Sequence, residues 1–158
     1  MSEQADARRP RTWILPPVPY ALALLFGWWL DRKILQLPCN WGALGNTLAG
    51  LLIGVALGLI VWTMLTFWQH DTTVNPYKGA SVLCTSGPFR FSRNPIYLSD
   101  WLLLVAGSLL LHTCWPLLLG PFIWVAVRYG VIDNEERHLE ARFGETYRAY
   151  KTRVRRWI

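Results

Sequence analysis

Between Trp101 and Val127 the chain carries no aspartate, glutamate, lysine or arginine. A helical segment that faces water needs a polar stripe, so this absence excludes a solvated surface for the stretch. Charge is scarce throughout, at 16% of 158 residues, against 53% hydrophobic residues and ten tryptophans. An average soluble domain is about a quarter charged, so the composition points to one small integral membrane domain. Histidine and cysteine are also few. Cys39, Cys84 and Cys114 have no ligand spacing and the three histidines are isolated, so neither a zinc nor a haem motif is present and no metal is expected. Cys39 and Cys114 fall on the same predicted side and are able to pair, but the odd count and burial favour inert thiols.

What is present is four apolar stretches: Ile14 to Leu30, Leu44 to Trp68, Ile96 to Leu111 and Trp115 to Tyr129. Each approaches or exceeds the roughly 20 helical residues that cross a hydrocarbon core. The expected fold is therefore an all-α, polytopic membrane bundle of about four transmembrane helices, followed by cytosolic C-terminal helices. The third and fourth stretches are joined only by His112 to Cys114 and should form a tight antiparallel pair, with Pro116 in the first turn of the fourth. The first stretch follows Arg8, Arg9 and Arg11 as a signal peptide would. Its Pro16, Pro17 and Pro19 and the lack of a small-residue cleavage pattern argue that it stays on the mature protein.

Basic residues cluster at Arg8 to Arg11, Lys78 to Arg93 and Arg137 to Arg156, which places both termini and the 70–95 loop in the cytoplasm. Asp31, Arg32 and Lys33 lie on the opposite side of this rule. The net charge of +6 flanks apolar helices, so anionic lipid headgroups, and no nucleic acid, are the expected partner. Three regions follow: a disordered tail over 1–12, a transmembrane bundle over 13–132 that includes the cytosolic loop 70–95, and cofactor-covering helices over 133–158. In the second stretch Gly50, Gly54 and Gly58 form a small-residue ridge suited to close helix approach, within the bundle or, as the alternative, across a homodimer.

Two charged segments border the uncharged hairpin. In Arg93-Asn94-Pro95-Ile96-Tyr97, Pro95 suits the opening of a helix and Asn94 its cap, so free amides and an arginine meet at an anion-binding end. Beyond the hairpin, Asp133 or Asn134 is the expected cap of a helix with Glu135 and Glu136 in its first turn. Leu139, Phe143, Tyr147, Tyr150 and Val154 make its apolar stripe, Gly144 is expected to end it in a left-handed cap, and Trp157 reads as an interfacial anchor. The hairpin returns both segments to one membrane surface. An arginine, a helix N-terminus, two carboxylates and an aromatic wall are able to recognise a zwitterionic amino-acid group beside a cationic centre.

GPFRFSRNPIYL followed after one hairpin by EERHLEARFGETYRAYKTRV resembles the isoprenylcysteine carboxyl methyltransferase and phospholipid methyltransferase superfamily, over about Thr72 to Trp157. The resemblance implies S-adenosylmethionine as methyl donor at the cytosolic face, and a lipophilic or small membrane-accessible acceptor that is a carboxylate, amine or thiol. It implies donor contacts from Gly87, Arg93, Asn94, Pro95 and Tyr97 in the first segment. Glu135, Glu136 and Leu139 would follow in the second, with Phe143, Tyr147 and Tyr150 shaping the pocket. Glu136, Arg93 and Tyr97 are the catalytic candidates, Glu136 or Tyr97 as base where the acceptor must lose a proton. The chain departs from the eukaryotic carboxyl methyltransferases, which have an arginine shortly before the acidic pair. Here Gly130 to Asn134 precede it and Arg128 lies farther back.

Tyr97-Leu98-Ser99-Asp100 also resembles a motif of membrane sterol reductases, which use NADPH, and Asp100 keeps that alternative open. An Asp100 paired with Arg90 or Arg93 would be its structural explanation. A non-enzymatic membrane protein is the remaining reading.

Overall fold

The computed structural model describes residues 15, 17–70 and 82–158, and every regular element among them is helical. The expected disordered tail, the start of the first stretch and residues 71–81 of the cytosolic loop lie outside the described residues. Helix α1 runs Pro17–Lys33, α2 Gly42–Gln69, α3 Pro95–Leu110, α4 Trp115–Leu118, α5 Gly120–Val127 and α6 Asp133–Arg153, with a short 3-10 turn at Gly87–Arg90. Of these, α2 is long and apolar enough to cross a membrane, while α3 is apolar but shorter. At 28 residues α2 spans about 42 Å, so its two ends mark opposite faces of the bundle.

Small residues decide which helices approach closely. The buried side of α2 is Gly45, Ala49, Ala56, Thr63 and Thr66, and α3 packs along it, with Ala106 and Leu109 against Ala49. The glycine ridge is on another face: a side chain added at Gly50, Gly54 or Gly58 would meet nothing. The expected packing of that ridge inside the bundle is therefore corrected. The inward face follows the near-heptad row Ala49, Ala56, Thr63, from which Gly50, Gly54 and Gly58 are turned by about 100° or more around the helix. The expected tight pairing of the third and fourth stretches also gives way, because α2 is the main neighbour of α3. Large side chains keep α3 and α5 apart: Tyr97, Trp101 and Leu104 meet Ile123 and Val127 from across the gap. Helix α1 fills in beside them through Tyr20 and Ala23, with Gly27 against Pro116 and Leu24 against Gly107.

One end of the bundle is covalently closed. Cys39 and Cys114 form a disulfide with 5.9 Å between Cα atoms, while Cys84 is free and buried. The expectation of three inert thiols is thus corrected for two of them. Spacing of 75 residues carried no signal, but the α1–α2 and α3–α4 connections meet at this end. Buried Asp31 organises the same corner, accepting from Leu37 N–H at 3.2 Å and from Thr113 Oγ1 at 3.0 Å.

Candidate functional site

At the opposite end, α5 does not stop before the acidic pair. It continues through one π turn, Arg128–Ile132, directly into α6, and Ile132 is itself helical. The expected capping of a new helix at Asp133 or Asn134 is corrected: Glu135 and Glu136 are interior residues of a continuous helix, not neighbours of free amides. The π turn adds a residue to the helical repeat and re-aims the faces that follow it, a distortion found often at functional sites. Helix α6 then breaks at Gly144, with φ 52° and ψ −125°. The break was expected, but the backbone lies beyond the left-handed helical region, in a corner open only to glycine. Beyond it Tyr147 and Tyr150 turn inward, joining Leu139, Phe143 and Val154 in a cluster around Phe89 and Cys84.

Asn94 precedes α3 without a side-chain cap bond, and Pro95 opens the helix as expected. The Asn94 side chain is used elsewhere. Its Nδ2 donates to the Arg156 carbonyl at 3.0 Å, Ser92 Oγ donates to the same carbonyl at 3.2 Å, and Arg93 N–H donates to the Arg155 carbonyl at 3.1 Å. The segment after α6 is thereby laid across the Arg93 turn. Trp157, expected as an interfacial anchor, packs instead on the core that contains Tyr20 and Tyr97.

These contacts assemble four charges. Arg156 grips Glu136 with Nε to Oε1 at 3.0 Å and Nη2 to Oε2 at 2.8 Å, and the same Nη2 lies 3.0 Å from Asp133 Oδ1. Arg93 Nη1 is 2.9 Å from Glu136 Oε1, but it is out of line for a hydrogen bond, and Arg93 Nε has no partner either. Both Arg93 nitrogens are buried. Beside this cluster Tyr97 donates its hydroxyl to Glu135 Oε2 at 3.0 Å. Burial pushes the Glu135 carboxyl up to about 7, aided by the charge of Glu136 and opposed by the Tyr97 bond. Glu135 retains some surface exposure as a residue, yet its carboxyl is the enclosed end. Burial also raises the Tyr147 phenol to about 12. Its hydrogen bond to Glu136 holds the Arg156 guanidinium above its ordinary value.

Of the residues singled out in the sequence, Arg93, Tyr97, Glu135 and Glu136 come together, with Asn94 and Pro95 building the turn that aims Arg93. Gly87 sits apart: at φ +56° it lets the chain pass close to Thr66 and Trp62 of α2. Leu139 packs in the Tyr147 cluster. Arg128 turns away, with its guanidinium 4.8 Å from the Trp124 ring and 5.3 Å from that of Tyr129. Sequence reasoning missed Arg156, because no periodicity connects it to Arg93 63 positions earlier. Asp100 makes no ion pair with Arg90 or Arg93. It is 6% exposed, its Oδ2 has no partner, and the Tyr20 hydroxyl nearby has none.

Residues 44–146 match the phospholipid methyltransferase family. An uncharacterized protein of Haemophilus influenzae (strain ATCC 51907 / DSM 11121 / KW20 / Rd) is 42% identical over 66 residues, which is 40% of this chain and the whole of that protein. No solved structure matches.

Proposed function

The chain belongs to the phospholipid methyltransferase family, and from that premise we propose that it moves a methyl group from S-adenosylmethionine to a lipophilic or membrane-accessible acceptor. The observation that carries this reading is the cluster of Arg93, Asp133, Glu136 and Arg156, with Tyr97 and Glu135 alongside. The donor ends in an α-amino acid, and this cluster offers what such a group needs: a carboxylate for the ammonium and buried guanidinium nitrogens for the carboxylate. Arg93 Nε, buried without a hydrogen-bond acceptor, fits a further anionic partner, since buried donors are almost always satisfied.

When bound there, S-adenosylmethionine supplies an electrophilic methyl group on a sulfonium. The protein's part is positioning, in which holding two reactants in line replaces a bimolecular encounter. Glu136, fixed by guanidinium nitrogens, serves binding. Glu135 is the better proton acceptor, because its carboxyl titrates near neutrality and its Oε2 accepts from Tyr97. That pair serves an amine or thiol acceptor; a carboxylate acceptor needs no base.

The same reading places the protein in a membrane. The outward residues of α2, among them Leu44, Leu51, Val55 and Trp68, are broadly exposed, which suits lipid contact. We read α1, α3 and the α4–α5 arm as the remaining spans. The disulfide suits the oxidising side of the membrane, which leaves the charged cluster on the cytoplasmic side together with both termini. The glycine ridge on the open face of α2 is available to a second copy.

Titration calorimetry of the detergent-purified protein with S-adenosylhomocysteine tests the reading. Saturable binding that is lost in Glu136→Gln supports it. A folded protein that binds no S-adenosylhomocysteine sinks it, and binding of NADPH instead would turn the reading toward a reductase.

A further inference from the structure

The segment after α6 does more than cover the site. Its backbone is held by three hydrogen bonds to the Ser92–Asn94 turn, and Trp157 packs on the core. Those contacts fix the segment without the Arg156 guanidinium. The guanidinium itself is part-exposed, at 24%, yet occupies the carboxylate of Glu136, whose side chain is 9% exposed. Beside it Arg93 has two buried nitrogens with no hydrogen-bond acceptor. Arg156 thus takes both hydrogen bonds that Glu136 accepts, while Arg93 only faces the same carboxylate at 2.9 Å and keeps a buried Nε with no partner.

Charge arithmetic says what relieves this. Asp133 and Glu136 against Arg93 and Arg156 sum to zero, so a lone anion or cation entering the cluster leaves one charge unpaired in a partly desolvated place. A zwitterion does not. Its ammonium takes a carboxylate and its carboxylate takes guanidinium nitrogens, and every charge stays paired.

We propose that Arg156 is a place-holder for the amino-acid end of the donor. In the present structure its guanidinium fills the ammonium position on Glu136. On binding, the ammonium takes Glu136, and the ligand carboxylate bridges Arg156 to the Arg93 guanidinium, whose Nε is unpartnered. Arg156 is then a binding residue, and the segment that bears it is one wall of the donor site. This inference rests on the methyl-donor reading and extends it to a residue outside the matched family region, which ends at residue 146.

The test uses calorimetry on the full chain in detergent with two probes: S-adenosylhomocysteine and its carboxamide, which keeps the ammonium but carries no carboxylate. Wild type should prefer the free carboxylate by about tenfold or more, in line with a charge-assisted bidentate contact. Arg156→Gln should bring the two affinities within about twofold of each other. Arg156→Lys, which keeps the charge without the fork, should retain part of the preference and carries the test if the glutamine variant folds poorly. A structural latch would weaken both probes equally and leave their ratio intact, and that result overturns the inference while the donor reading stands. A wild-type protein with no preference for the carboxylate overturns it as well. If folded wild type binds neither probe, the donor reading fails and the place-holder fails with it.

Discussion

Tyr97, in the first turn of α3, donates its hydroxyl to Glu135 Oε2 of α6 at 3.0 Å. The bond joins the two charged segments that the sequence separates by a whole hairpin. It also stabilises the ionised form of a carboxyl that burial disfavours. Tyr97→Phe removes the donor and leaves the acceptor enclosed. The expected cost is about 1–3 kcal/mol for a buried group left unsatisfied. Thermal unfolding in detergent at pH 8, where Glu135 is charged, reads this as a lower Tm, and the loss should shrink at pH 5.

Glu135 also sets a pH dependence of stability. Its carboxyl moves from the ordinary 4.5 to about 7 in the folded protein. Between those values the folded state holds a proton that the unfolded state has released, so stability falls as pH rises. The contribution is intact below about 4.5 and lost once pH passes about 7. A Tm series from pH 4.5 to 8 should therefore show a downward component that Glu135→Gln flattens. An unchanged slope in that variant would assign the dependence to another group.

These relationships show where the sequence was readable. Apolar length marked α2 and the body of α1 and α3, and the border positions of Arg93, Tyr97, Glu135 and Glu136 marked residues that the structure gathers at one end of the bundle, because burying charge beside a long apolar run is costly and needs compensation. The π turn was not readable, since one extra residue in a turn leaves the apolar pattern of α5 and the acidic start of α6 unchanged. Gly50, Gly54 and Gly58 misled for a related reason: a small-residue ridge shows where a helix can be approached, not which face is. Arg156 was hidden by distance along the chain, whereas the shared side of Cys39 and Cys114 allowed their pairing but an odd count of three weighed against it. The backbone acceptors that seat Arg156 are the carbonyls of Arg155 and Arg156, groups that every residue has.

Asp100 tests the boundary of the site. It lies one helical turn beyond Tyr97 and outside the Arg93–Glu136–Arg156 cluster, with an unpartnered Oδ2. Asp100→Asn is isosteric and should leave the affinity for S-adenosylhomocysteine within about threefold of wild type, since no charge that touches the cluster changes. A tenfold loss by calorimetry would extend the proposed donor site to Asp100.

The Cys39–Cys114 bond closes a loop of 75 residues at the end of the bundle opposite the charged cluster. Chain-entropy reasoning gives such a link about 4 kcal/mol, so reduction or Cys39→Ser should lower the Tm by several degrees. The bond also reports sidedness. In intact cells a membrane-impermeant maleimide should label the protein only after reduction, and Cys39→Ser should expose Cys114 without it. Cys84, buried near Tyr150 at the other end, should remain unlabelled in both cases. Labelling of Cys84 in intact cells would reverse the orientation and put the charged cluster outside.

Gly144 controls the approach of everything that follows it. With φ 52° and ψ −125° it occupies backbone space that a β-carbon disfavours, although a side chain there would meet nothing. Gly144→Ala thus isolates backbone strain from crowding, at an expected cost of about 1–3 kcal/mol. The variant has two ways to respond. If the corner survives, Tm falls while the affinity for S-adenosylhomocysteine is kept. If the corner straightens into helix, Tyr147 and Tyr150 leave the Phe89 cluster, the 2.7 Å bond from Tyr150 to the Phe89 carbonyl is lost, and Arg156 is carried away from Glu136. Binding should then fall together with stability. Calorimetry and thermal unfolding of the one variant distinguish the two, and an unchanged Tm would show that the corner costs nothing to a side chain.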